Sequence, residues 1–191
     1  MTDSQVRPQP PSEVPLVSST RAPDFQTVYR AEFPYVWKTL RRLGAPPRDL
    51  DDLTHDLFVV VYRRLNDYDA TRPLRPWLFG IAVRVMSDYR RSARRIREPL
   101  ETHAEPPPDA PMAEDATVAA EARALLIQAL DSLDLDRRAV FVMHELDELP
   151  IPEVAVSLGI PVNTAYSRLR LAREEIAAFV RRFRAKEQAL V

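Results

Sequence analysis

From Leu149 to Arg184 the chain reads LPIPEVAVSLGIPVNTAYSRLRLAREEIAAFVRRFR, and the spacing predicts a short helix, a tight turn and a long helix. Pro152 suits a first helical position, where its missing N–H would be unpaired in any case, and Gly159 can take the left-handed geometry that ends a helix. Between them Ile151, Val154, Ala155 and Leu158 fall on one face at helical spacing. Beyond the turn, Ala165, Leu169, Ala172, Ile176, Phe179 and Phe183 continue an apolar stripe, so the long helix also buries one side.

The opposite side of the long helix carries Asn163, Thr164, Ser167, Arg168, Arg170 and Arg173 near its start, then Arg181, Arg182, Arg184 and Lys186. In a helix-turn-helix the first turns of the second helix enter the major groove, where Asn, Ser and Arg match base-edge donors and acceptors and further arginines meet phosphates. The competing reading is an amphipathic hairpin with a solvated arginine face.

The rest of the chain is punctuated by proline and charge. Most of the 18 prolines lie in the first 23 residues and in EPLETHAEPPPDAPMAEDA. Neither stretch has the apolar side chains to offset the entropy of ordering, so 1–23 is expected to be a tail and 98–116 a flexible linker. The net charge of -1 conceals segregation: Phe25 to Arg97 holds 15 basic and 8 acidic residues, Glu98 to Ala116 holds 6 acidic and no basic ones, and from Thr164 onward the excess is basic. Such asymmetry suggests surfaces that face nucleic acid, joined by an acidic connector.

The chain of 191 residues contains no cysteine, which removes disulfides and thiolate metal sites. No apolar run approaches the roughly 20 residues that span a bilayer, and MTDSQVRPQPPSEVPLVSST lacks an export signal, so a cytoplasmic protein without membrane insertion is expected.

The span 24–97 predicts a first domain of three main helices. Phe25, Val28, Tyr29, Val36, Trp37 and Leu40 make one apolar stripe, which Pro34 should kink or break. A second helix is expected from Asp49, whose side chain can cap it, with Leu50, Leu53, Leu57, Phe58, Val61 and Leu65 inward and Asp52, His55, Asp56 and Arg63 outward. A third helix points Leu74, Trp77, Leu78, Ile81, Ala82, Val85 and Tyr89 inward. It presents Arg75, Arg84, Arg90, Arg91, Arg94, Arg95 and Arg97 outward, a density suited to phosphates but also found on solvated helix ends. The loop before it offers Tyr68 and Arg72, groups that can hold an unstacked base against an aromatic or guanidinium plane, although a loop tyrosine often only covers a core.

Taken in order, DLDDLTHDLFVVVYRRL, DYDATRPLRPWLFGIAVRVMSDYRRSARR, the linker, and LDSLDLDRRAVFVMHELDELPIPEVAVSLGIPVNTAYSRLRLARE resemble a bacterial RNA polymerase sigma factor. The small form with only regions two and four is the extracytoplasmic-function group. The resemblance implies an all-α fold of two small helical domains, region two over 24–97 and the helix-turn-helix region four over 117–191. It also implies three surfaces. Asp52, His55 and Asp56 match the helix that docks on core polymerase, with His55 and Asp56 standing where the family more often has Gln and Glu. Tyr68, Arg72, Arg75, Trp77, Arg84 and Arg91 match the part that melts the minus-ten element and traps a flipped base; Arg84 replaces a common Asn. Asn163, Thr164, Ser167, Arg168, Arg170 and Arg173 match the minus-thirty-five reader, in which Asn163 replaces a usual Gly, Tyr166 a usual basic residue and Leu171 an often basic one.

The partners implied are core RNA polymerase, promoter DNA and an anti-sigma factor. The acidic linker resembles the connector that occupies polymerase channels before RNA does; composition alone fits a plain spacer equally well.

Enzyme readings find little support. Gly44, Gly80 and Gly159 are too far apart for a phosphate loop or nucleophile elbow. The segment HELDE from His144 approaches a zinc-protease helix but has Glu148 where a second His should stand. No catalytic residue, metal ligand or cofactor is therefore expected. A repressor or activator gripping duplex DNA alone would need a dimerisation surface, and none stands out, so a monomer is expected when partners are absent.

Overall fold

The computed structural model describes residues 24–97 and 118–189, and among them every regular element is helical. Helix α1 (Phe25–Arg42) starts on Asp24, whose carboxylate accepts from the Thr27 N–H at 3.1 Å, and ends with Arg41 and Arg42 at the negative end of its dipole. It runs through Pro34, contrary to the expected break. Pro34 is exposed, so the carbonyl that its ring leaves without an intrahelical donor is accessible to water, while buried Val28, Val36 and Leu40 hold both halves on one core.

A turn at Gly44, with φ 94°, leads through a short 3₁₀ turn at Pro47–Asp49 into α2 (Leu50–Arg64). Asp49 occupies the N-cap position but does not cap. Its φ of -107° and ψ of 0° lie outside the extended region that aims a capping side chain at the helix. Its Oδ2 instead accepts from the Tyr89 hydroxyl at 2.6 Å, joining α2 to α3. The six apolar residues assigned inward are all buried, five on α2 and Leu65 just beyond its end.

After a 3₁₀ turn at Leu65–Asp67 comes a loop, then α3 (Leu74–Arg97). Leu78, Ile81 and Ala82 of α3 are buried as expected, joined by Phe79 and Met86. The side chains of Arg94, Arg95 and Arg97, like the tail 1–23 and the linker 98–116, lie outside the described residues.

The second half comprises α4 (Val118–Asp131), α5 (Leu135–Phe141) continued by a π-helical turn at Val142–Leu146, α6 (Ile151–Leu158) and α7 (Val162–Ala189). Asp134 caps α5 through the Arg137 N–H at 2.8 Å. Pro152 stands second in α6 rather than first, because Pro150 supplies the extended residue before Ile151. Gly159 ends α6 in the left-handed region, with φ 66°. The apolar faces of α5, α6 and α7 meet on Val140, Met143, Val154, Ala155, Ala165, Leu169 and Ala172, all buried. Buried Arg138 donates from Nε to the Leu130 carbonyl at 2.7 Å and pairs with Asp131. Burial lowers its pKa, against which Asp131 acts.

The halves are in contact: α3 packs on α6 and α5, and one cluster of buried apolar residues extends from Val28 to Ala172.

Candidate nucleic-acid interface

The loop before α3 is shaped by its own side chains. Asp69 accepts from the Thr71 N–H at 3.1 Å and from its hydroxyl at 2.6 Å, an Asx turn of the kind that fixes a loop without secondary structure. These bonds hold the Asp69 carboxyl below its ordinary range. The Tyr68 hydroxyl donates to the Arg72 carbonyl and closes the loop. Burial, followed by Asp69, raises the Tyr68 pKa and keeps the phenol a neutral donor.

The Tyr68 and Trp77 rings lie 5.0 Å apart at 46°. Together with Arg72, Ile81 and Arg84 they wall a groove of about 710 Å³. Trp77, Ile81 and Arg84 reach it together because steps of four and three residues stay on one helix face. An aromatic pair flanked by guanidinium groups can receive a base and its phosphate. Arg64, from the end of α2, also lines the groove and was missed in the sequence, where it reads as a solvated helix-end charge. Two expected members are elsewhere. Arg75 donates to Glu32 at 2.9 Å and lies over the Tyr35 ring, 4.9 Å from its centroid, so it joins α3 to α1. Arg91 pairs with Asp88 one turn away.

Asp52, His55 and Asp56 are all exposed and, at i, i+3 and i+4, share one face of α2. Tyr62, two turns beyond His55, continues that face and is 66% exposed. Its ring meets Phe25 edge-on at 5.1 Å. Sequence periodicity missed Tyr62 because it falls outside the apolar stripe.

On α7, Asn163, Tyr166, Ser167, Arg170 and Arg173 are exposed on the side opposite Ala165, Leu169 and Ala172. Thr164 and Arg168 sit at its edge, half-buried. Each arginine has an acidic partner: Arg168 with Asp136 at 2.6 Å, Arg170 with Glu174 at 2.6 Å, and Arg173 with Glu145 through two nitrogens at 2.7 and 2.6 Å. His144 faces the Leu149 carbonyl across 2.8 Å, which requires its Nδ1 to carry the proton. That turn and the Glu145 pair account for the segment that resembled a metal site, and no group of three or more His, Asp or Glu side chains suited to a metal occurs among the described residues.

A helix-turn-helix with an exposed polar and basic face, behind a helical domain that carries an aromatic and basic groove, is the architecture of a DNA-binding factor. Residues 28–96 match the family described as sigma-70 region 2, and residues 123–176 match sigma-70, region 4. The chain is 32% identical to RNA polymerase sigma factor NccH of Alcaligenes xylosoxydans xylosoxydans over 145 residues, 73% of this chain and 77% of the relative. It is 32% identical to RNA polymerase sigma factor CnrH of Cupriavidus metallidurans over 149 residues, 73% and 78% of the respective chains. The structure of CnrH in complex with the cytosolic domain of CnrY superposes with a TM-score of 0.58 at 27% identity, covering 82% of this chain and 86% of that one. That of RpoE with the anti-sigma factor NepR from Bartonella quintana gives 0.68 at 18% identity, covering 83% and 97%, and is a likeness of fold. The chain belongs to the sigma-70 family and is a sigma factor of the extracytoplasmic-function group, which directs RNA polymerase to promoters.

Proposed function

We propose that this sigma factor docks on core RNA polymerase through the Asp52, His55 and Asp56 face of α2, holds an unstacked minus-ten base in the groove of Tyr68, Arg72, Trp77 and Arg84, and reads minus-thirty-five DNA with the exposed start of α7. The observation that carries the reading is the groove, where an aromatic pair and arginines meet beside a loop closed by its own hydrogen bonds. A base entering it gains stacking and a guanidinium neighbour, which offsets part of the cost of leaving the duplex.

Acidic side chains on α2 suit a basic partner surface, and such complementarity sets encounter rate and orientation. Arg75 and Arg91, held by Glu32 and Asp88, act outside the groove: Arg75 braces α3 on α1, and Arg91 exchanges its carboxylate for a backbone phosphate. The chain performs no catalysis of its own; RNA synthesis and its metal ions belong to the polymerase. No described helix is long and apolar enough to cross a membrane, in keeping with a cytoplasmic, monomeric factor that an anti-sigma protein sequesters, as the CnrH and RpoE complexes illustrate.

Run-off transcription from genomic fragments, with core polymerase and with this protein added or omitted, tests the reading. Discrete transcripts that depend on the protein are expected. Specific binding to duplex DNA without polymerase, and no transcript with it, would replace the reading by a repressor or activator.

A further inference from the structure

We infer that Val162 and Tyr166, on the first two turns of α7, select thymine in the minus-thirty-five element through its 5-methyl group. The inference rests on the reading that the exposed start of α7 meets that element.

Six large apolar side chains are exposed among the described residues, and four of them have an account within the chain. Trp37 donates to Asp51 at 3.2 Å, Tyr29 and Tyr62 lie against the Phe25 ring at 6.1 and 5.1 Å, and Val156 lines the groove beside α3. Val162 and Tyr166 are the other two, 40% and 55% exposed. Tyr166 has no ring contact, and its hydroxyl has no hydrogen-bond partner, among the described residues.

Their spacing makes the pair one feature. Four residues apart, they are neighbours on the helix surface, and the same step carries the row on to Arg170. Asn163 and Ser167 stand beside them, on the side turned away from Ala165, Leu169 and Ala172. From Val162 to Arg173 the helix has no carboxylate; Glu174 is the first. An amphipathic helix bound for a protein groove would continue its apolar anchors at the next turn. Here Leu169 is buried inward and the row passes to Arg170. The apolar pair is therefore continuous with a polar and cationic face, which suits a polyanion.

Of the base edges in the major groove, those of adenine, guanine and cytosine offer hydrogen-bonding groups, whereas thymine adds a methyl carbon. Against the other bases, valine and the tyrosine ring would strip water from polar atoms and return no hydrogen bond. The pair accordingly favours thymine, on either strand of the element. The two Cα atoms are about 6 Å apart along the helix axis, nearly two base-pair steps of about 3.4 Å, so two thymine methyls lie within its span and Arg170 meets a base further along.

The test uses holoenzyme assembled from core polymerase and the full-length chain, with a promoter fragment recovered from run-off transcription. Each thymine of the minus-thirty-five element is replaced in turn by deoxyuridine, which keeps the hydrogen-bonding edge and lacks only the methyl group. At one or two positions, binding by the parent protein should weaken by about fourfold, the factor for one buried methylene-sized group. Val162→Ala and Tyr166→Ala should each bind the thymine promoter more weakly and lose the distinction between thymine and deoxyuridine at one of those positions. Tyr166→Phe keeps the ring and should retain it. Both side chains are exposed, so the helical circular dichroism of all three variants should match that of the parent. A minus-thirty-five element with no thymine on either strand, a parent indifferent to every deoxyuridine, or a distinction that both alanine variants preserve overturns the inference. A distinction lost in Tyr166→Phe assigns it to the hydroxyl and overturns the inference as well. In each of these cases a loss of promoter binding in Arg170→Ala leaves the reading of α7 standing, whereas no loss there overturns that reading itself.

Discussion

Asp136, on the first turn of α5, holds the guanidinium of Arg168 at 2.6 Å, and that pairing keeps Arg168 at the edge of the reading face with 26% of its side chain exposed. On the function proposed above, Arg168 meets DNA already partnered, and a phosphate must displace a carboxylate. Exposed pairs of this kind contribute at most about 1 kcal/mol. Asp136→Asn should accordingly raise holoenzyme affinity for promoter DNA and for a scrambled fragment alike, by up to about fivefold. Titration of both fragments at one salt concentration measures it; a gain confined to the promoter would mean that Asp136 shapes base readout instead.

Arg170 differs. It is exposed, and its partner Glu174 lies on the same helix at i+4, an arrangement that leaves the guanidinium at the surface of the reading face. Arg170→Ala should cost about 1–3 kcal/mol on the cognate minus-thirty-five element, with little change on scrambled DNA. Equal promoter binding by parent and variant at physiological salt would remove Arg170 from the base-reading set.

Much of this was legible because periodicity reports burial: the inward residues of α2 and the first half of the α7 stripe, Ala165, Leu169 and Ala172, follow from spacing alone, as does the left-handed stop at Gly159, whereas Ile176, Phe179 and Phe183 are only partly buried. What escaped were choices made by tertiary context. Asp49 looked like a cap and instead receives Tyr89 from forty residues away. Arg75 looked like a phosphate ligand and instead braces Glu32 and Tyr35 on α1. Arg64 reaches the groove because α2 packs beside α3, and α6 only because the halves pack together; spacing along one helix carries no information about another helix.

The Tyr68 hydroxyl closes the loop onto the Arg72 carbonyl while its ring lies tilted against Trp77. Tyr68→Phe keeps the ring and deletes the closure, worth about 1 kcal/mol. Open-complex formation, followed by a fluorescent base analogue in the minus-ten element, should slow by about fivefold. Because the phenol pKa is raised, the difference between parent and variant should be the same at pH 7 and pH 9. Binding to isolated minus-thirty-five duplex should be unaffected; a loss there would mean the substitution unfolds more than the loop.

Gly159 isolates a backbone effect from a packing effect. Its φ is 66°, yet a Cβ added there meets nothing within 4 Å. Substitution therefore costs conformational energy and no steric clash. Gly159→Ala should lower stability by about 1–2 kcal/mol, and Gly159→Asn by less, since asparagine tolerates the left-handed region. Chemical denaturation monitored by helical circular dichroism reads the difference directly. The order matters more than the size: if alanine and asparagine were equally destabilising, the cost would come from a lost contact or altered turn solvation and not from the left-handed geometry that sets α7 after α6.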